Sequence, residues 1–186
     1  MVKNNIKFNS KFSFLFFLIF SSFLARLITA YFASDRVVDN EWSVLVNNLI
    51  NYKAFAFYAS EDLIIPSAYM PPIYPFFLYL IKIITFNKID FLSLIISFQV
   101  ILSTYSVYIF YKLNQKIFSE KLSLINSFIF SLFPLNLYAV GQISSITLQI
   151  LLTLLFLKYF FYISEKKTSK NLIIFSIVSG ILILTR

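Results

Sequence analysis

Four stretches of about 20 residues, at roughly 12–33, 91–111, 122–140 and 143–163, are nearly free of charge. Each is long enough to cross a hydrocarbon core of about 30 Å as a helix rising 1.5 Å per residue. A fifth apolar run covers 171–185, and a sixth, 71–86, begins Pro71-Pro72-Ile73-Tyr74-Pro75. As a helix the sixth would reach about 24 Å, which suits an interfacial or re-entrant element better than a span. Composition agrees with a bilayer partner: the chain is 59% hydrophobic and 13% charged, against roughly 45–50% and about 25% in soluble domains. The expected fold is therefore all-α, a polytopic integral membrane protein. It has about five transmembrane helices plus interfacial helices in the first extracytoplasmic loop.

Several function classes drop out at once. With no Cys and no His there is no thiolate or imidazole metal site and no His-based triad, so acid–base work falls to carboxylates, Lys or Tyr. Two glycines cannot build a phosphate-cradling Gly-rich loop. The net charge of +8 would suit nucleic acid if it formed a stripe. It lies instead in short clusters between apolar runs, the pattern of the positive-inside rule, and no nucleic-acid partner is expected.

Those clusters choose the threading. With the 71–86 helix kept outside, the inner segments carry Lys3, Lys7, Lys11, Lys112, Lys116, Lys121, Lys166, Lys167 and Lys170, against Arg36, Lys53 and Lys88 outside. A spanning 71–86 helix would reverse the bias, so the first threading is preferred and the N-terminus is cytoplasmic. Lys3, Lys7 and Lys11 ahead of the first run would also suit a secretory signal. Its length and the lack of a small-residue cleavage site favour a span. The chain then reads as one membrane domain, 1–186, with a first span at 12–33, an outer loop with interfacial helices at 34–90 and further spans over 91–186.

The outer segment 34–70 holds Asp35, Asp39, Glu41, Glu61 and Asp62, five of the eight acidic residues. Within it Trp42, Leu45, Val46 and Leu49 recur at helical spacing, which predicts a short amphipathic helix over 40–52 lying on the membrane and capped by Asp39 or Asn40. Arg26 sits about 10 Å inside the first span. A cation there is costly, and either binds an anion, snorkels to the headgroups or pairs with Asp35. Lys82 and Lys158 are also isolated in apolar runs and read as snorkelling cations. Tyr69, Tyr74 and Tyr79 read as headgroup-level anchors.

The order of parts resembles the N-terminal portion of polyprenyl-phosphate-sugar-dependent glycosyltransferases of the multispanning C-type superfold, the protein mannosyltransferase-like and aminoarabinose-transferase-like group. The residues that carry this are Phe23-Leu24-Ala25-Arg26-Leu27 in the first span and the acidic segment Asp35-Arg36-Val37-Val38-Asp39-Asn40-Glu41-Trp42. Pro71-Pro72-Ile73-Tyr74-Pro75 is similar to the family's PPLYP helix start. Leu132-Phe133-Pro134-Leu135-Asn136-Leu137-Tyr138 resembles its outer corner, and Gly180-Ile181-Leu182-Ile183-Leu184-Thr185-Arg186 its GLAALTR segment.

The resemblance implies transfer of a sugar from a polyprenyl-phosphate donor to a glycan, lipid or protein acceptor on the extracytoplasmic face of a bacterial inner membrane. Asp39 or Glu41 would be the base; the family's adjacent acids are here split by Asn40, so both stay candidates. Asp35 would orient the acceptor or hold a divalent metal. Arg26 and Lys82 would meet the donor phosphate. Tyr74 would line the substrate groove, and Tyr138 with Gln142, Ser144 and Ser145 would form a polar corner touching a sugar. Family enzymes are longer, and the chain ends inside an apolar run, which implies truncation at the C-terminus. The alternative is a non-catalytic transporter or flippase component for lipid-linked intermediates. That reading expects charges or broken helices at mid-membrane in several spans, whereas the acids here gather in one loop.

Overall fold

The computed structural model describes residues 2–35, 37, 41–67, 70–85 and 90–185, with side chains from Ser13 onward. It is mostly helical: α1 (Val2–Ala33), α2 (Glu41–Asn51), α3 (Ile73–Thr85), α4 (Phe91–Ile117), α5 (Glu120–Ser131), α6 (Pro134–Gly141), α7 (Ile146–Glu165) and α8 (Ser169–Ile183). A two-stranded hairpin, β1 (Ala56–Ala59) and β2 (Ile64–Pro66), is the one non-helical element among the described residues. Ser13–Ala33 of α1, α4 and α7 are each long and apolar enough to cross a membrane; counting the bent pair α5 and α6 as one span makes four. By length and composition that is three to four spans among the described residues, where about five are expected. At 15 residues α8 is a shorter apolar helix, reaching about 22 Å.

The expected span over 122–140 is broken, with α5 and α6 meeting at 48°. The cause is Pro134, the first residue of α6, which has no N–H for the carbonyl of Phe130 and whose ring collides with a continuing helix. Carbonyls released by such a break must find other donors at membrane depth. Phe130 O accepts from the Phe133 N–H and from the Asn136 amide, each at 3.4 Å. Ser131 O accepts from Arg26 Nη1 at 3.1 Å.

α4 is the hub, packed against α1, α3, α5, α6 and α7. On α5, Ser123, Ser127 and Ser131 repeat every four residues and are all fully buried. Such small side chains let α5 approach its neighbours closely, and their hydroxyls donate back to carbonyls of their own chain, Ser127 to Ser123 O at 2.7 Å. α7 packs against α4 and α8, with Phe156 and Phe175 5.0 Å apart. Asp90 caps α4, its Oδ2 accepting from the Ser93 N–H at 3.0 Å and the Ser93 hydroxyl at 2.6 Å. Those two bonds hold its carboxyl below the usual range.

Cross-links between helix ends sort the bundle into two faces. At one, Lys116 Nζ donates to Glu165 Oε1 at 2.7 Å and Asn126 to Asn114 Oδ1 at 3.2 Å. At the other, Gly141 O accepts from the Asp35 N–H, Gln142 O from Gln99, Thr185 O from Gln149 and Leu184 O from the Ile73 N–H. The second face carries the end of α1, the starts of α4 and α7, the end of α8, and α2, the hairpin and α3. α3 lies on the face that carries the described acids Asp35, Glu41, Glu61 and Asp62. It begins at Ile73, after the Pro71-Pro72 pair.

Candidate functional site

α2 forms where the periodicity predicts it. Leu45, Val46 and Leu49 are buried at 0–9% exposure because the i, i+1 and i+4 positions of one face meet α3 and the hairpin. Asn48 fixes that contact by donating to Ala56 O at 2.7 Å and Phe57 O at 3.2 Å. The hairpin pairs Tyr58 with Ile65 and Ala59 with Ile64, with an irregularity between Ala56 and Tyr58. It was not foreseen. It matters because it supplies the far wall of a groove of about 600 Å³: Glu41 and Val44 of α2 face Phe57, Tyr58, Ile65 and Pro66. Glu41 is exposed in the first turn of α2, where a carboxylate also complements the helix dipole.

The other side of α2 borders a smaller cleft of about 180 Å³, lined by Ser43, Asn47, Leu78, Lys82 and Phe91 among others. Lys82 is half-buried there, with its ammonium 4.6 Å above the Phe91 ring. Glu41 and Lys82 thus flank one short helix, with a carboxylate in one cleft and an ammonium in the other. Lys158 lies 5.8–5.9 Å from the Tyr159 and Tyr162 rings.

Between the clefts, Trp42 meets Tyr74 edge to face at 5.1 Å. Tyr74 is not the headgroup anchor its position suggested: at 1% exposure it belongs to the core with Val46, Leu78, Ile81, Ile95 and Ile143. Its position in α3 turns it inward, and its hydroxyl has no partner among the described residues. Burial, and then the nearby negative charge of Asp35, push the phenol well above its ordinary range, so it stays protonated.

Asp35 ties the end of α1 to the α6–α7 corner. Its Oδ2 accepts the Ile143 N–H at 2.7 Å, its own N–H donates to Gly141 O at 2.9 Å, and Gln142 donates to Ala33 O at 3.3 Å. Gly141 is required by this approach, since a Cβ there would lie 2.9 Å from Ala33 O and Ser34 Cα.

Arg26 is fully buried between helices, not snorkelling and not paired with Asp35. Nε donates to Ser103 Oγ at 2.7 Å, and Nη1 to Ser22 Oγ at 2.6 Å and to Ser22 O and Ser131 O at 3.1 Å. Nη2 has no partner among the described residues.

Tyr138 is 55% exposed on α6 and borders neither cleft beside α2. Asp39 lies outside the described residues. Among the described residues no three His, Cys, Asp or Glu side chains gather. Sequence reasoning missed Gln99, whose reach from α4 to the corner has no local signature, and the hairpin wall of the groove. No family model, no curated protein and no solved structure matches the chain.

Proposed function

We propose that the protein is a membrane glycosyltransferase that takes a sugar from a polyprenyl-phosphate donor at the extracytoplasmic face, with α2, the hairpin and α3 forming the reaction side. The observation that supports this best is Glu41 at the rim of an apolar groove of about 600 Å³, with Lys82 across the same helix. Glu41 or Asp39 removes the acceptor hydroxyl proton. The acceptor oxygen bonds to the anomeric carbon as the bond to phosphate oxygen breaks, and polyprenyl phosphate leaves with the electron pair. Lys82 offsets its charge. Tyr74 packs beneath α2 against Trp42 and Val46, Asp35 holds the end of α1 to the α6–α7 corner, and Arg26 acts as a structural tie between helices. In this reading the acidic face is extracytoplasmic and the N-terminus cytoplasmic.

The test is transfer of labelled sugar from polyprenyl-phosphate donors by membranes containing the protein. Glu41→Gln or Asp39→Asn should lower transfer by about 10²- to 10⁴-fold at unchanged abundance, the usual cost of losing a general base. Glu61→Gln, on the exposed hairpin turn, is the control and stays active. Near-normal rates in both amide variants would overturn the reading.

A further inference from the structure

The seam between α4 and α7 is apolar along its middle and changes character at its Lys116 end. Ile109 and Leu113 of α4 pack there with Leu151 and Leu154 of α7. The same faces continue at helical spacing into charge: Lys116 follows three residues after Leu113, and Lys158 and Tyr162 follow Leu154 at intervals of four. Lys158 lies inside Ile146–Glu165, a helix long and apolar enough to cross a membrane. It stands seven residues short of the helix end, or about 10 Å. A cation at that depth is costly and marks a functional site by default. Snorkelling relieves Lys158 only in part, because the direction that leads out of the hydrocarbon brings it toward another cation. The centroid of the Tyr162 ring is 5.9 Å from Lys158 Nζ and 4.5 Å from Lys116 Nζ.

Charge at this end of the seam does not balance. Glu165 pairs with Lys116 at 2.7 Å, and Lys158 has no carboxylate partner among the described residues. Two ammoniums against one carboxylate leave one positive charge near the boundary of hydrocarbon and headgroups, where the lowered dielectric weakens its screening. What the bilayer itself offers at that depth is the lipid phosphodiester. A headgroup with one net negative charge complements the excess one to one, whereas a zwitterionic headgroup brings an ammonium of its own. Basic pockets between spanning helices hold anionic headgroups on this principle. Tyr159 and Tyr162 add phenol donors suited to phosphate oxygens. Leu157 and Phe160, 39% and 51% exposed on α7, supply apolar surface for acyl chains.

We propose that the Lys116 end of the α4–α7 seam is a binding site for an anionic glycerophospholipid, with Lys158 selecting net negative charge. The phosphodiester meets the two ammoniums beside Tyr162, and the acyl chains run along Leu157 and Phe160. This end of the bundle is opposite Glu41 and its groove, and the site stands independently of the transferase reading.

The experiment is thermal unfolding of the purified chain in a neutral detergent, titrated with phosphatidylglycerol, with phosphatidylcholine of the same acyl chains, or with inorganic phosphate at matched ionic strength. Phosphatidylglycerol should give a saturable rise in Tm of about 3 °C, roughly what a ligand at ten times its Kd gives a chain of this size. Phosphatidylcholine and inorganic phosphate should give less than half of it. Lys158→Gln keeps a polar side chain without the charge, and should move the phosphatidylglycerol midpoint to at least several-fold higher concentration. Lys158→Arg should restore it. Lys121→Gln, on α5 at the same end of the bundle, is the control for a general loss of positive charge and should leave the midpoint in place. In the unsubstituted chain, equal rises with the two lipids overturn the selection of charge, and an equal rise with inorganic phosphate overturns the lipid as its source. A midpoint that Lys158→Gln leaves untouched, or that Lys121→Gln moves as far, overturns the site.

Discussion

Arg26 Nη1 donates to the carbonyl of Ser131 at 3.1 Å across 105 residues, and that carbonyl lies three residues before the proline that breaks the span. A backbone acceptor freed inside a membrane would otherwise be stranded at a cost of several kcal/mol. The cation and the kink therefore explain each other. α5 can bend at Pro134 because α1 brings a donor, and Arg26 can be buried because α4 and α5 supply Ser103 Oγ and Ser131 O.

The guanidinium reaches Ser22, Ser103 and Ser131 at once only because its donors form a flat fork. A lysine ammonium is a single point with a flexible stem. Arg26→Lys is expected to lose at least two of these bonds, each worth roughly 1.5–3 kcal/mol when a charge is involved. Thermal unfolding in detergent should show a Tm lower by at least several degrees. Ser103→Ala should show a smaller drop, and the double variant less than the sum of the two. A wild-type Tm for Arg26→Lys would mean the buried fork is not what holds the kink.

The two glycines make opposite predictions. Gly141→Ala would place its methyl 2.9 Å from Ala33 O and Ser34 Cα, backbone atoms that cannot rotate away. The corner must open, with loss of the Asp35–Gly141 bond and a penalty of about 1–3 kcal/mol. At Gly180, inside α8, a Cβ meets nothing within 4 Å, and alanine there should stabilise by about 0.5–1 kcal/mol through helix propensity. Unfolding temperatures of the two variants, measured side by side, should move in opposite directions. A neutral Gly141→Ala would refute the close approach of α1 and α6.

What the sequence disclosed depended on how local the determinant was. The buried face of α2 follows from Leu45, Val46 and Leu49 within two turns, and α1, α4 and α7 from unbroken apolar runs. The break at Pro134 was open to view as a proline inside an apolar run, but run length outweighed it. The hairpin escaped because its strands are four and three residues long and its turn, Ser60-Glu61-Asp62-Leu63, contains no glycine. Of the site, Glu41 and Lys82 were legible as a charge at a helix start and a cation in an apolar helix. The partners of Arg26 lie 77 and 105 residues away, and Gln99 meets Gln142 43 residues on. Such pairs exist only once helices cross, and no periodicity in one chain encodes them. Tyr74 shows the converse hazard: aromatic identity at an expected interface suggested an anchor, while helix phase turned the ring into the core.

The sidedness of the two faces is open to a direct chemical test, because the chain has no cysteine of its own. Cross-links place the hairpin turn with the ends of α1 and α8 on one face, and Lys116, Glu165 and the α7–α8 turn on the other. Nine basic residues sit in segments threaded to the face of Lys116 and Glu165, which the positive-inside rule assigns to the cytoplasm. Ser60, exposed in the hairpin turn, and Ser169, exposed at the start of α8, can each become cysteine without disturbing a buried contact. In intact cells a membrane-impermeant maleimide should label Ser60→Cys, and should reach Ser169→Cys only after the membrane is opened. The reverse pattern would put Glu41 and its groove in the cytoplasm, where the proposed extracytoplasmic transfer cannot take place. Labelling of both in intact cells would mean that the bundle does not cross the membrane as one body.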